Sequence, residues 1–444
     1  MRKLITLLFI FCYILSPPGP VYGQETMDAT ERQNVVDSLI KTLADHYVFP
    51  EVAQKMGDHL RKKHKAGAFN DLANPVAFAD RLTEELQFIS QDRHLRVNFN
   101  PDGAQMMRAH QDEEGPGEPD EEFLDRLKRE NFGFREIKIL EGNVGYLDLR
   151  GFMPAALAGE TAAAAMNLLS NTDAIIFDLR QNGGGDPGMI QLLTSYLYEG
   201  HDHIHLNNFY FRPTNDTTQT WTLPYVPGQR NPDAEVVVLT SGYTFSAAEE
   251  FTYNLKNLER ATIVGETTGG GAHPGGTRPI DQRFVAFVPN GRAINPVTHT
   301  NWEGTGVSPH IEVDQEKALA IGHLTAIEKL GEKAKTDEDK RYYEWYATYL
   351  KAKSEPVKLT EEQLEACAGQ FGPRSLLKKD GRLFYQRSGR PEMELVILNP
   401  TTFLLKEDPN IRFSVEIEQG KAHALILESV DGWREKMERT GAQP

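Results

Sequence analysis

The chain has 444 residues, 39 % of them hydrophobic, enough for the cores of two or three domains and unlike a fibrous or disordered polymer. Its formal charge of −16 repels phosphate backbones and argues against nucleic acid as a partner. Of two cysteines, Cys12 lies in a leader-like segment and Cys367 stands alone beyond it, so neither an internal disulfide nor a thiolate-built zinc site is expected.

Met1-Arg-Lys3, a short apolar run from Leu4 to Leu15, a Pro/Gly break and Val21-Tyr-Gly23 follow the plan of a secretory signal peptide over residues 1–23. The run is short for a membrane span and no later segment offers one. The expectation is therefore an exported protein, periplasmic or secreted, with no membrane insertion after signal removal. Residues 24–135 read as an N-terminal helical domain with a linker. Val35, Leu39, Ile40, Leu43 and Tyr47 recur at helical spacing, as do Phe78, Leu82 and Leu86, and Asn74-Pro75 is a start signal for the second series. Residues 95–100 alternate like a strand, and 111–122 form an acidic Gly/Pro linker.

From 136 to 314 strands and helices alternate. Strands are predicted at 144–149, 174–178, 235–239 and 262–264, and helices at 155–169, 189–197 and 247–258. That order implies an α/β core around a partly parallel sheet. Residues 284–294 read as a hairpin turning at Pro289-Asn-Gly291. A charged helical connector is expected over 315–353. A small C-terminal antiparallel β domain is expected over 354–444, with strands at 382–386, 394–398, 402–405, 413–417 and 422–426. Cys367, flanked by alanines, reads as a small buried apolar residue.

Four stretches could carry chemistry. Ser246 stands where a strand-like run turns into a helix, facing unpaired amides and the positive end of the dipole. An acyl-transfer nucleophile needs that setting, although Ser246-Ala-Ala-Glu249 also fits a capping box that merely closes the helix. Asp178-Leu-Arg-Gln-Asn-Gly183-Gly184-Gly185 puts three glycines after a buried strand, where backbone amides converge on an anion without Cβ obstruction. The rival readings are a phosphate loop, for which the Lys-Ser/Thr is missing, and a plain turn. His94 lies at a helix–strand junction, and Glu303 among turn glycines in Asn301-Trp-Glu-Gly-Thr-Gly306; singly, each reads as structural or solvated. The alternating His201, His203 and His205 could share a strand face, but without a carboxylate or thiolate partner they read as an exposed loop. Tyr342, Tyr343, Trp345 and Tyr346 read as helix packing.

Taken in order, Gly145-Tyr-Leu, Asp178 to Gly185, Ser246-Ala-Ala-Glu-Glu-Phe, Val264-Gly-Glu-Thr-Thr-Gly-Gly-Gly271 and Asn301-Trp-Glu-Gly-Thr-Gly-Val-Ser-Pro309 resemble the tricorn-core and C-terminal-processing serine peptidases. The branch they are most similar to is that of interphotoreceptor retinoid-binding protein. The resemblance implies a crotonase-like ββα-type sheet with helices as the α/β core. C-terminal-processing enzymes use a lysine about two dozen residues after the serine, and here that place is Gly271. The stretch between His94 and the core strand is too short for a PDZ module with its linker, since compact domains rarely fall below ~50 residues. The tricorn-type branch uses histidine and glutamate instead. Carried across, Ser246 is the nucleophile, His94 its base and Glu303 the group that orients the imidazole. The amides of Gly184 and Ala247 would form the oxyanion hole, and Gly183, Gly270 and His273 would contact substrate. Arg93 stands where tricorn carries a second serine, and His310 where the family has an aspartate. The implied activity is an exported serine peptidase that acts on peptide or protein through an acyl-enzyme, with no metal or cofactor. The alternative, from the retinoid-binding relatives, is a non-catalytic carrier of retinoid or fatty acid.

Overall fold

The computed structural model describes residues 26–109 and 121–440. The leader-like segment 1–23 and most of the acidic linker lie outside the described residues. Two compact units form. One comprises the chain through residue 138 with 146–171 and 177–318, and the other 139–145, 172–176 and the chain from 319 onward.

In the first unit, helices Ala29–His46, Pro50–Lys65 and Pro75–Ser90 start at residues suited to it. Asp28 and Asn74 accept from the amides of Glu31 and Ala77, and Pro50 and Pro75 open their helices. Their apolar faces (Val35, Leu39, Leu43, Met56, Leu60, Phe78 and Leu82) are buried together with Leu95, Val97, Phe284, Ala286 and Val288. These last residues come from a three-stranded antiparallel sheet in which Phe284–Pro289 lies between Arg96–Phe99 and Gly275–Pro279. The helical segment therefore closes its core with strands from far along the chain, across the expected boundary near residue 135.

The α/β core is a six-stranded sheet in the order Ile311–Glu312, Thr262–Gly265, Glu235–Thr240, Ala174–Asp178, Val144–Leu149, Phe134–Leu140. The first two pairings are parallel. Strands 144–149, 174–178 and 235–240 are buried at every position, which explains their mostly apolar runs. Helices Ala155–Leu168, Pro187–Ser195 and Ala247–Asn257 follow strands 144–149, 174–178 and 235–240.

The hairpin expected at 284–294 does not form. Gly291–Ile294 pairs with His205–Phe211 in a separate sheet, whereas Phe284–Pro289 pairs elsewhere. The amides of Asn290 and Gly291 both donate to Pro274 O at 3.0 Å, so the Asn-Gly turn hands the chain between sheets instead of folding it back. His201 and His203 precede the strand that begins at His205, whose ring stacks on Trp221 at 4.2 Å, so the three imidazoles share no strand face.

In the second unit all five predicted C-terminal strands are present. Gly369–Phe371, Arg374–Lys379 and Arg434–Glu438 extend them to an eight-stranded antiparallel meander. Its core includes Cys367, Phe371, Phe403, Phe413 and Leu425. Helix Asp337–Ser354, expected as a connector, packs on this sheet: Trp345 Nε1 donates to Pro409 O at 2.7 Å, Tyr346 Oη to Asn410 Oδ1 at 2.5 Å, and the Arg412 guanidinium lies 3.9 Å above the Trp345 ring. Trp345→Ala is expected to cost about 3–5 kcal/mol, read as an earlier urea transition of this unit.

Candidate active site

Strand Glu235–Thr240 ends in a turn that leads to Ser246, the residue that caps helix Ala247–Asn257. An ordinary cap would have extended backbone at that point. Ser246 instead has φ 54° and ψ −119°, a left-handed region that a residue with a side chain enters only at a cost of ~1–3 kcal/mol. Such strain at a strand–turn–helix junction is how a nucleophilic serine is pushed out of its helix. The capping reading is therefore insufficient.

The strained residue is held from behind by Glu249. Its Oε2 accepts from the amides of Ser246 (2.9 Å) and Gly271 (2.8 Å), and its Oε1 from Gly270 N (2.6 Å) and Thr268 Oγ1 (2.5 Å). Burial pushes this carboxyl up to about 7 even against the pull of its four donors. Both oxygens act only as acceptors, the bonding pattern of the ionised form. The sequence signalled Glu249 only as the partner in a capping box.

His94 reaches the same place from the other side of the unit. Gln91 ends helix Pro75–Ser90 in the left-handed conformation, and Asp92 Oδ1 accepts the His94 amide at 3.0 Å, which fixes the turn. The imidazole lies between the rings of Phe245 (4.6 Å between centroids) and Phe287 (5.7 Å). Its Cε1 fills the space over Gly271: a Cβ there would lie 2.6 Å from it and 2.3 Å from Phe245 Cζ. The position where C-terminal-processing enzymes carry their lysine is thus occupied by the histidine ring. Burial holds His94 down at about 4, against the pull of Asp92, so it is neutral at physiological pH. Its Nδ1 is buried without a hydrogen-bond partner, 3.9 Å from Asp92 Oδ1.

Glu303 lies in the same cluster. One ligand-type atom from each of Asp92, His94 and Glu303 lies within 4.8 Å of the other two. Glu303 Oε2 accepts from Ala272 N at 2.5 Å, while Oε1 is buried and unpartnered. Burial and the charge of Asp92 raise its carboxyl to about 7, with His273 pulling the other way. Trp302, next to it, is anchored by Nε1 donating to Gly271 O at 2.6 Å. Sequence-expected Ser246, His94 and Glu303 therefore come into one neighbourhood, although among the described residues no hydrogen bond joins His94 to Ser246.

Three other expectations need correction. The Gly184 amide donates to Asn182 Oδ1 at 2.9 Å and is not turned to Ser246. Gly184 itself is required there: φ is +113°, and a Cβ would sit 2.7 Å from Ser246 Cβ. Because Gly184 O and Asp186 N bond Phe152, strand alternation turns the Gly185 amide to the opposite side. Gly270 is buried with its amide committed to Glu249, and His273 is only 6 % exposed, with Nδ1 at 2.8 Å from Asp92 Oδ2 and 3.3 Å from Glu303 Oε2. Both are buried, so neither offers the exposed surface that a substrate contact was expected to use. Gly183, beside Tyr243, remains half-buried. Arg93 donates to Gly269 O at 2.7 Å, and His310 Nδ1 accepts the Ile263 amide at 2.9 Å, a packing role.

Residues 143–313 match peptidase family S41, and residues 29–132 match the N-terminal domain of peptidase S41 in eukaryotic IRBP. The chain carries a peptidase S41 domain preceded by the IRBP-like N-terminal domain of that family. Among solved structures it is similar to the photosystem II D1 C-terminal processing protease (14 % identity, TM-score 0.42, 64 % of this chain and 94 % of that one). It is also similar to the tricorn protease (14 %, 0.39, 65 % and 35 %) and to a Bacteroides fragilis protein named for the S41 proteases (21 %, 0.38, 42 % and 52 %). The chain spans about half the length of the last of these.

The buried imidazole leaves a signature on stability. Between pH 6.5 and about 4 an unfolded histidine takes up a proton that folded His94 refuses, so its contribution falls as pH drops through that window. Relative to His94→Gln, the wild type should lose up to ~1.4 kcal/mol per pH unit there, measured by denaturant unfolding at several pH values.

Proposed function

We propose that the protein is a serine peptidase in which Ser246 is the nucleophile, His94 the general base and Glu303 the orienting carboxylate. The observation that carries this is the strained backbone of Ser246 at a helix start, beside a buried neutral imidazole. Neutral His94 accepts the Ser246 proton as Oγ attacks the scissile carbonyl. The tetrahedral oxyanion forms against the Ala247 amide at the helix N-terminus, with the Gly185 amide as the second donor. His94 then protonates the leaving amine, and water clears the acyl-enzyme by the same route. Glu303 orients His94 by accepting from its Nδ1–H, which needs Glu303 ionised. His94 Nδ1 and Glu303 Oε1 are both buried in this cluster without partners, and a bond between them would satisfy both. The substrate class is peptide or protein, which the S41 domain supports.

A fluorophosphonate should label Ser246, seen by peptide mass spectrometry, and Ser246→Ala should lower turnover on the order of a thousandfold or more with folding unchanged. A folded wild-type protein that takes no label and instead binds retinoid or fatty acid stoichiometrically would replace this reading with that of a carrier. Because His94 is neutral down to about 4, the acid limb of kcat/KM belongs to Glu303. The rate should rise with pH through about 7, not through the usual imidazole range. The leader-like residues 1–23 support export. Sequencing the secreted or periplasmic protein from its N-terminus should begin at Gln24.

A further inference from the structure

We infer that His273, protonated and clamped between Asp92 and Glu303, is the positioning residue that keeps Glu303 charged and aimed at His94. The inference rests on the peptidase reading and deepens it. The arrangement is a carboxylate–imidazolium–carboxylate bridge in the interior: one ring nitrogen, Nδ1, lies 2.8 Å from Asp92 Oδ2 and 3.3 Å from Glu303 Oε2. Asp92 is 1 % exposed and accepts in addition from the His94 amide and from Tyr47 Oη at 3.1 Å. Those donors commit Asp92 to its ionised form. Two carboxylates this close in a dry site cannot both ionise without a cation between them. Burial opposes a charge on His273, but the hydrogen bond and charge of Asp92 with the charge of Glu303 outweigh it and raise its pKa.

The surrounding charges fit this assignment. Around His273 stand Asp92, Glu303 and, from strand Gly291–Ile294, Arg292, which opposes the imidazolium. Around Glu303 stand Asp92, His273 and Glu249 from helix Ala247–Asn257. Tyr47, following helix Ala29–His46, faces Asp92, and Arg96 faces His94. His273 is thus the cation that acts on Glu303, and the Phe49 ring packs edge-on against it at 5.2 Å. Removing the imidazolium leaves Asp92 and Glu303 to repel each other. Glu303, with fewer donors, takes the proton and no longer accepts from His94.

The test compares pH profiles of fluorophosphonate labelling at Ser246 in wild type and His273→Gln. The variant's acid limb should move up by a unit or more, giving about tenfold slower labelling at pH 7 and recovery toward the wild-type rate near pH 9. A loss equal at every pH would mean that His273 only packs, and an unchanged profile that it does nothing to Glu303; either overturns the inference. A second measurement needs no variant. In 15N-histidine-labelled wild type at pH 8, where exposed imidazoles are neutral, a charged imidazole signal should persist, and its absence would overturn the bridge. If wild type takes no label at any pH, the peptidase reading fails, while the imidazole spectrum still decides the bridge.

Discussion

The site depends on one buried carboxylate. Glu249 gathers four donors onto two oxygens: the amide of Ser246, those of Gly270 and Gly271, and the hydroxyl of Thr268. Through that one group the start of a helix and a glycine loop become a single rigid piece. Everything else is fastened to the loop. Gly271 O accepts Trp302 Nε1, Ala272 N donates to Glu303, and the Gly271 Cα forms the floor beneath the His94 ring. A carboxylate bonded only to amides and a hydroxyl costs less to bury than a bare one, because each donor replaces a water. It also offsets the strain in Ser246, whose amide would otherwise be an unpaired donor at the helix start.

In the proposed arrangement the glycine at 271 leaves room for a histidine base where a lysine would otherwise stand. A side chain there would collide with His94 and Phe245, so the loop must leave the space empty for the ring to enter. A lysine at this place and a histidine from the N-terminal helices are mutually exclusive occupants of one volume. The three helices close their core on strand Phe284–Pro289. The strand Arg96–Phe99, immediately after His94, pairs with it in register from Arg96 opposite Phe287, and the ring of Phe287 flanks the imidazole. Fold and site are joined at that pairing.

Much of this was legible in the sequence, and what was not has physical reasons. The strands at 144–149, 174–178 and 235–240 are buried on both faces and announce themselves as apolar runs. The helix after Ser246 has a plain amphipathic period. The C-terminal strand Arg434–Glu438 is charged at four of five positions with none buried, and Arg374–Lys379 buries only Leu376, so neither shows an apolar alternation. The Asn-Gly at 290–291 is a local signal overruled by Pro274 O, an acceptor that no local reading places there. Ser246, His94 and Glu303 could be named from motif order, but the contacts that gather them, such as Glu303 Oε2 with Ala272 N and the His94 ring over Gly271, join residues 31 or more apart in the chain. The tertiary roles of Glu249 and His273, read from the sequence as a cap partner and a substrate contact, escape for the opposite reason. Each gains its importance only from groups that tertiary folding brings to it.

The electrostatics of the cluster then follow from burial acting on groups of opposite type. It strips His94 of its proton, which suits a base, and presses a proton onto Glu303, which does not suit an orienting carboxylate. The linkage signs are correspondingly opposed. His94 withdraws stability as pH falls from 6.5 toward 4, whereas Glu303, binding a proton in the folded state that it has lost in the unfolded one, withdraws stability as pH rises from 4.5 to about 7. A site that needs a neutral imidazole beside an ionised carboxylate cannot obtain both from desolvation alone. It needs a cation that reaches the carboxylate without touching the base. The bridge at His273, with Asp92 on its far side, satisfies that condition: its nitrogen lies 3.3 Å from Glu303 and 2.8 Å from Asp92, and its influence on His94 merely holds that ring neutral.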